Sequence, residues 1–229
     1  KLMNLVKFFY YMYYRPKIFF PKNSYSMFGE DVFIKKFFKK KSEGIYVDVG
    51  CYHPIDGNNT YLLFKKGWKG MNIDLNKTSI ELFNRARKND VNLRIAISDE
   101  IKKTKYFYRK KINMLNTINK KFANSSFKKG FKTSYIQANT LNSALNKSKV
   151  KNKKIDFLNL DIEGNELNAL KTLNFKKYNP KLICIEIHNS SFIGSKTISL
   201  KSEPVYKFLL KKGYREVWKN GFSVIFKGK

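Results

Sequence analysis

Acidic residues are scarce in this chain: 17 Asp and Glu stand against 47 Lys and Arg among 229 residues, a formal net charge of +30. Only six of the basic residues are Arg, and the Lys are spread over every segment. A phosphate-binding face would cluster its charge and favour Arg, whose planar fork fits phosphate. The excess therefore reads as solvated Lys on exposed positions. Nucleic acid is not the partner it predicts, although such a field still attracts polyanions and acidic lipid. Cysteine is scarcer still. The pair Cys51 and Cys184 excludes a disulfide scaffold and reads as reduced core residues of a cytoplasmic protein. Long apolar runs are missing as well: the aromatic stretch Phe8 to Tyr14 has seven residues, and a bilayer span needs about twenty. No small-residue cleavage site follows it, so it does not read as a secretory signal.

What the chain does have is a core. Hydrophobic residues make up 42% and aromatics 16%, enough to exclude wholesale disorder. A chain of this length buries about 70% of its unfolded surface. The expected organisation is an aromatic and basic appendage over residues 1–23 followed by one domain over 24–229. Residues 1–21 read either as an extra helix packed on that domain or as a segment lying in an acidic membrane interface, where Tyr rings and Lys stems are both at home.

From Gly44 onward short β-branched runs alternate with segments of helical spacing. Strands are predicted at Ile45–Val49, Gly70–Asp74, Val91–Ile97, Ile155–Leu160, Leu182–Ile187, Tyr214–Trp218 and Phe222–Phe226. Helices are predicted at Asn59–Lys66, Thr78–Lys88, Thr140–Lys147, Asn165–Leu173 and Pro204–Lys212, with Thr78 and Glu81 forming a capping box. The alternation predicts right-handed crossovers and a mostly parallel sheet. Asn220-Gly221 predicts a tight turn, so the sheet ends in an antiparallel hairpin. Residues 102–132 are polar, lack a clear period and read as an excursion that shapes a substrate pocket.

The motif richest in chemistry is Tyr46-Val47-Asp48-Val49-Gly50. A buried strand closing on Asp-x-Gly puts a backbone without a side chain at the carboxyl edge of the sheet, where α/β proteins bind ligands. A third glycine and a Gly-rich phosphate loop are both absent, so neither a dinucleotide nor a triphosphate is required. Asp74, closing the next strand, suits a ribose diol, and together these features fit S-adenosylmethionine. Asp48 and Asp74 as mere helix caps are the plain alternative. Asp161, Glu163 and Glu166 crowd the end of a later strand, where mutual repulsion has a cost that a function would explain. Glu166 reads as compensation of a helix dipole. Glu186 and His188 are spaced to point the same way, and both histidines, His53 and His188, fall just past strand ends.

Ser26-Met27-Phe28-Gly29-Glu30-Asp31, Tyr46 to Gly50, Asn59-Thr60, Gly67-Trp68-Lys69-Gly70, Ala96-Ile97-Ser98 and Leu160-Asp161-Ile162-Glu163-Gly164-Asn165-Glu166 together resemble the successive blocks of FkbM-type methyltransferases, over about Ser24 to Phe226. Met27 departs from the pattern by standing where the family usually has Gln. The resemblance implies a Rossmann-like, seven-stranded α/β sheet with helices on both faces, and S-adenosylmethionine-dependent O-methylation of a sugar, glycan or other small molecule. It further implies Asp48 and Gly50 beside the methionine moiety, Asp74 at the ribose, Ser98 and Asp99 at the adenine, Glu30 and Asp31 over the cofactor's amino group, and Asn59 nearby. An acceptor hydroxyl must lose its proton, for which His188 or Asp161 is the candidate base and Glu163 the orienting group. Alternatively Asp161, Glu163 and His188 hold a divalent metal. Two other readings stand beside it: an RNA methyltransferase, which lacks a dedicated basic, aromatic module here, and a non-catalytic glycan- or membrane-binding member of the fold.

Overall fold

The computed structural model describes residues 4–13, 22–110, 112–187 and 200–229. Helix α1 (Leu5–Tyr13) precedes the domain, followed by α2 (Glu30–Phe37), β1 (Ile45–Val49), α3 (Tyr61–Lys65), β2 (Lys69–Asp74), α4 (Lys77–Ala86) and β3 (Val91–Arg94). Then come β4 (Ala96–Ile97), β5 (Lys102–Tyr108), α5 (Lys120–Ser126), β6 (Lys132–Asn139), α6 (Leu141–Asn146) and β7 (Phe157–Leu160). The chain finishes through α7 (Glu166–Lys171), α8 (Phe175–Tyr178), β8 (Leu182–Glu186), α9 (Pro204–Lys211), β9 (Arg215–Asn220) and β10 (Ser223–Lys227).

Seven strands form one sheet in the order β3-β2-β1-β7-β8-β10-β9. Neighbours from β3 to β8 pair in parallel, and β10 runs antiparallel to both β8 and β9. The hairpin expected at Asn220-Gly221 is therefore present, with β10 inserted between β8 and β9. Both faces of the sheet are covered, which is why its strands read as continuous apolar runs. Alternate residues go to opposite cores: Val47, Val49, Leu158, Leu160, Ile183 and Ile185 to one, and Tyr46, Phe157, Leu182, Cys184 and Ile225 to the other. Strand order reverses between β1 and β7, so the crevice at the carboxyl ends of these two strands is where this architecture binds ligands.

Three expectations need correction. The single strand expected over 91–97 is two, because the chain leaves the main sheet at Ile95 and β4 joins a second sheet ordered β4-β6-β5. The polar excursion over 102–132 carries β5, α5 and the start of β6. It remains a pocket-shaping element, since Asn113, Met114, Asn116 and Ile118 line a cleft. Helix α4 is capped by Asn76, whose side chain accepts from the N–H groups of Thr78 and Ser79, rather than by a Thr78–Glu81 box.

Among the described residues no helix is long and apolar enough to cross a membrane. Helix α1 packs Met12, with Phe8 and Tyr11 beside it, against Leu82 and Ala86 of α4. His53 ties it down. Its Nδ1 accepts from the N–H groups of Ile55 and Asp56, so Nε2 carries the proton that meets the Tyr11 carbonyl at 3.2 Å. This histidine is fully buried and structural. The cysteines are free and buried, and burial pushes both thiols up.

Candidate active site

Two clefts open at the carboxyl edge, and Asp161 and Met114 line both. The first, about 460 Å³, is bounded by Val49 and Gly50 after β1, Ile73 to Leu75 at the end of β2, Ile95 to Ile97, the 113–118 loop and Ile162. The second, about 350 Å³, is lined by Met27, Phe28 and Glu30, by Gly57 and Asn59, by Asn159, and by Cys184, Glu186 and Ser223. The first mixes aliphatic side chains with Asp74, Asp161, Asn113 and Asn116, and the second gathers Glu30, Asp161 and Glu186 with the amides of Asn59 and Asn159.

Gly50 is required by the fold itself. It sits at φ +83°, and a Cβ there would lie 1.7 Å from the carbonyl oxygen of Asp161. The glycine turn therefore lets the ends of β1 and β7 meet, besides leaving room in the first cleft. Asp74 accepts from the N–H of Tyr52 at 2.9 Å and of Asn76 at 2.6 Å. Burial raises its pKa to about 6 against those two bonds. A carboxylate offers about four lone-pair directions, so both oxygens keep capacity for a diol.

Asp48 is enclosed by its neighbours. It is 1% exposed and lines neither cleft. Thr60 Oγ1, Asn159 Nδ2 and Asn58 Nδ2 donate to it at 2.8, 2.9 and 3.2 Å. Burial raises its pKa, and these donors with the Arg87 guanidinium oppose that rise. It is a hub locking the β1 end to β7 and the start of α3. Asp31 is likewise enclosed, accepting from the hydroxyls of Ser24 and Ser26 and the N–H of Tyr25. Glu30, which accepts from Phe28 N–H and Ser223 Oγ, and Asn59, which donates to Asn159 Oδ1 at 2.9 Å, belong to the second cleft rather than the first. Ser98 and Asp99 lie just past Ile97, outside both linings. The Ser98 hydroxyl donates to Asp99 at 2.8 Å and holds that carboxyl below its usual range.

The acids after β7 cluster tightly. Glu166 folds back to accept from the N–H groups of Ile162 and Gly164, which shapes the turn ahead of α7. That turn needs positive φ at Glu163 (58°) and Gly164 (90°). Glu163 is 3% exposed, and its carbonyl accepts from Thr117 Oγ1 at 3.0 Å. Asp161 is pushed well above the usual carboxylate range, first by burial and then by the charges of Glu186 and Glu163, and it is hydrogen-bonded to Glu186.

Asp161, Glu163 and Glu186 each offer an oxygen within 4.8 Å of the others. A hard divalent cation suits such donors. His188, expected both as base and as a metal ligand, lies outside the described residues. Among those described, Glu186 takes the third place. Its sequence signal was its spacing from His188 on one strand face. Asn159, Met114 and Asn116 carried no signal, because an isolated amide or thioether in a strand or loop announces nothing.

The sequence matches the methyltransferase FkbM domain over residues 48–216. The chain belongs to the FkbM methyltransferase family. No curated protein matches it. The matched span begins at Asp48, at the end of β1, and runs into β9, so it contains the whole lining of the first cleft and the second sheet, whereas Met27, Phe28, Glu30 and Ser223 of the second cleft lie outside it.

Proposed function

We propose that this methyltransferase takes its methyl group from S-adenosylmethionine and places it on a hydroxyl of a sugar, glycan or other small molecule. The observation that carries the reading is that two clefts at the carboxyl edge of the sheet share Asp161 as a wall. The first fits the cofactor: the Gly50 turn leaves the backbone bare, Asp74 offers a carboxylate, and aliphatic side chains form a slot. When bound, S-adenosylmethionine supplies an electrophilic methyl group on a sulfonium.

The chain's own part is alignment and proton removal. Methyl transfer is an in-line displacement, so holding the acceptor in position supplies most of the rate. Glu30, Asn59 and Asn159 give the second cleft donors and acceptors suited to a polyhydroxylated molecule. The Asp161–Glu186 pair takes the acceptor proton, and a carboxyl held above its ordinary range, as Asp161 is by burial and neighbouring charge, is the better base. Glu163 acts through its charge on Asp161. Calorimetric titration with S-adenosylhomocysteine and transfer of labelled methyl to a panel of sugars test the reading. No heat from the folded protein sinks it. Turnover that survives a chelator keeps the base at the carboxyl pair. Loss restored by Mg²⁺ or Mn²⁺ moves the chemistry to a cation on Asp161, Glu163 and Glu186.

We further propose that the enzyme works in the cytoplasm against the inner face of a membrane. Leu5, Val6, Phe9 and Tyr10 of α1 point outward, and acidic lipid complements the +30 charge.

A further inference from the structure

Asn116 is 7% exposed, and among the described residues neither its side-chain nitrogen nor its oxygen has a hydrogen-bond partner. Native proteins rarely leave one such group unmet, let alone both ends of one amide. It lines the first cleft, so the missing partner belongs there.

The segment around it is firmly held. Thr117 exchanges backbone bonds of 2.8 and 3.2 Å with Phe107 and donates its hydroxyl to the Glu163 carbonyl. Asn119 donates its amide to the Gly164 carbonyl at 3.0 Å. Ile118 packs on the cluster that contains Ala96 and Leu75. Asn116 is thereby fixed in the wall of the cleft that Ile95, Ala96, Ile97 and Ile118 also line. An amide presents one donor and one acceptor side by side, and adenine offers the complement: the exocyclic amino group beside a ring nitrogen. A planar base between Ile95, Ala96, Ile97 and Ile118 would meet that amide at its edge.

We infer that Asn116 reads the adenine amino edge of the cofactor, a role that the resemblance gives to Ser98 and Asp99. This rests on the cofactor reading above. The test pairs S-adenosylhomocysteine with its 6-deamino analogue, each titrated calorimetrically into the wild-type protein and into Asn116→Leu. The wild type is expected to bind the amino form about tenfold tighter than the deamino form, as one hydrogen bond allows. The variant is expected to bind both equally and weakly. The thermal midpoint of the ligand-free variant should equal or exceed that of the wild type, because no internal bond is lost. A variant that keeps wild-type affinity, or keeps the discrimination, overturns the inference alone. So does a wild type blind to the amino group, which settles the matter even if the variant does not fold. Wild type that binds neither ligand overturns this inference and the cofactor reading together.

Discussion

The α-carbon of Gly50 faces the carbonyl of Asp161 so closely that a Cβ would lie 1.7 Å from its oxygen. Replacing Gly50 with alanine therefore adds a collision to the strain of a left-handed backbone at φ +83°. The expected loss is about 2–4 kcal/mol, combining strain with overpacking. A lowered thermal midpoint checks it, together with weakened S-adenosylhomocysteine binding, because β1 and β7 must part. An unchanged midpoint would show that the two strand ends are not in contact.

Asp161 has a second consequence through its hydrogen bond with Glu186. A buried acid with a raised pKa keeps its proton after the unfolded chain has given its own up near the ordinary value of 3.8. The folded state thus loses stability as pH climbs from there through the raised value. Asp161→Asn removes that loss, so the variant should melt above the wild type at pH 8, with the gap closing near pH 4. Its turnover should fall by roughly 10²–10⁴, the usual worth of a positioned base, while S-adenosylhomocysteine still binds. A variant that is both less stable at pH 8 and fully active would contradict the assignment. The stability gain and activity loss share one cause, charge crowded where chemistry needs it.

The main sheet was legible because it is buried on both faces, so β1, β7, β8 and β10 are apolar runs with little ambiguity. Strands β5 and β6 were not, because each buries only two residues, Tyr106 and Phe107 in one and Ile136 and Ala138 in the other. Lysine and other polar residues, with Tyr108 and Tyr135, fill their remaining positions, and a strand in a small, half-exposed sheet then looks like a loop. The site divides in the same way. Gly50, Asp74 and Asp161 stand at strand ends, where position alone suggests a ligand edge. Asp48 occupies an equivalent place yet turns inward to Asn58, Thr60 and Asn159, and a linear pattern cannot tell an acid facing a cleft from one facing a buried amide. Glu30 and Asn59 line the second cleft beside Asn159 and Glu186, an adjacency that no linear spacing announces. For Glu30 that placement comes from the β10 hairpin, where Ser223 bonds it, about 190 residues away in the chain.

Asp74 makes cofactor affinity depend on pH. Its carboxyl, raised by burial to about 6, must be ionised to accept from two ribose hydroxyls. Affinity for S-adenosylhomocysteine should be flat above pH 7 and weaken as pH falls through 6, approaching tenfold per unit below it. Asp74→Asn should bind more weakly throughout and lose the pH dependence. Titrations at intervals from pH 5 to 8 check both, and a wild type whose affinity is constant over that range would remove Asp74 from the ribose.

The outer face of α1 gives the membrane reading a sharp test. Leu5, Val6, Phe9 and Tyr10 are 61, 77, 56 and 65% exposed, whereas Met12 on the opposite face is 4% exposed against Leu82. Inserting Phe9 and Val6 into an interface is worth a few kcal/mol, and the basic field adds a salt-sensitive share near acidic headgroups. The protein should co-sediment with phosphatidylserine vesicles, less so at high salt, and not with neutral phosphatidylcholine. Val6→Asp with Phe9→Asp should abolish sedimentation without lowering the melting temperature, since neither side chain is part of the core. Met12→Asp should instead destabilise the packing of α1 on α4. If the outward double variant sediments like the wild type, the helix is packing on the domain and nothing more.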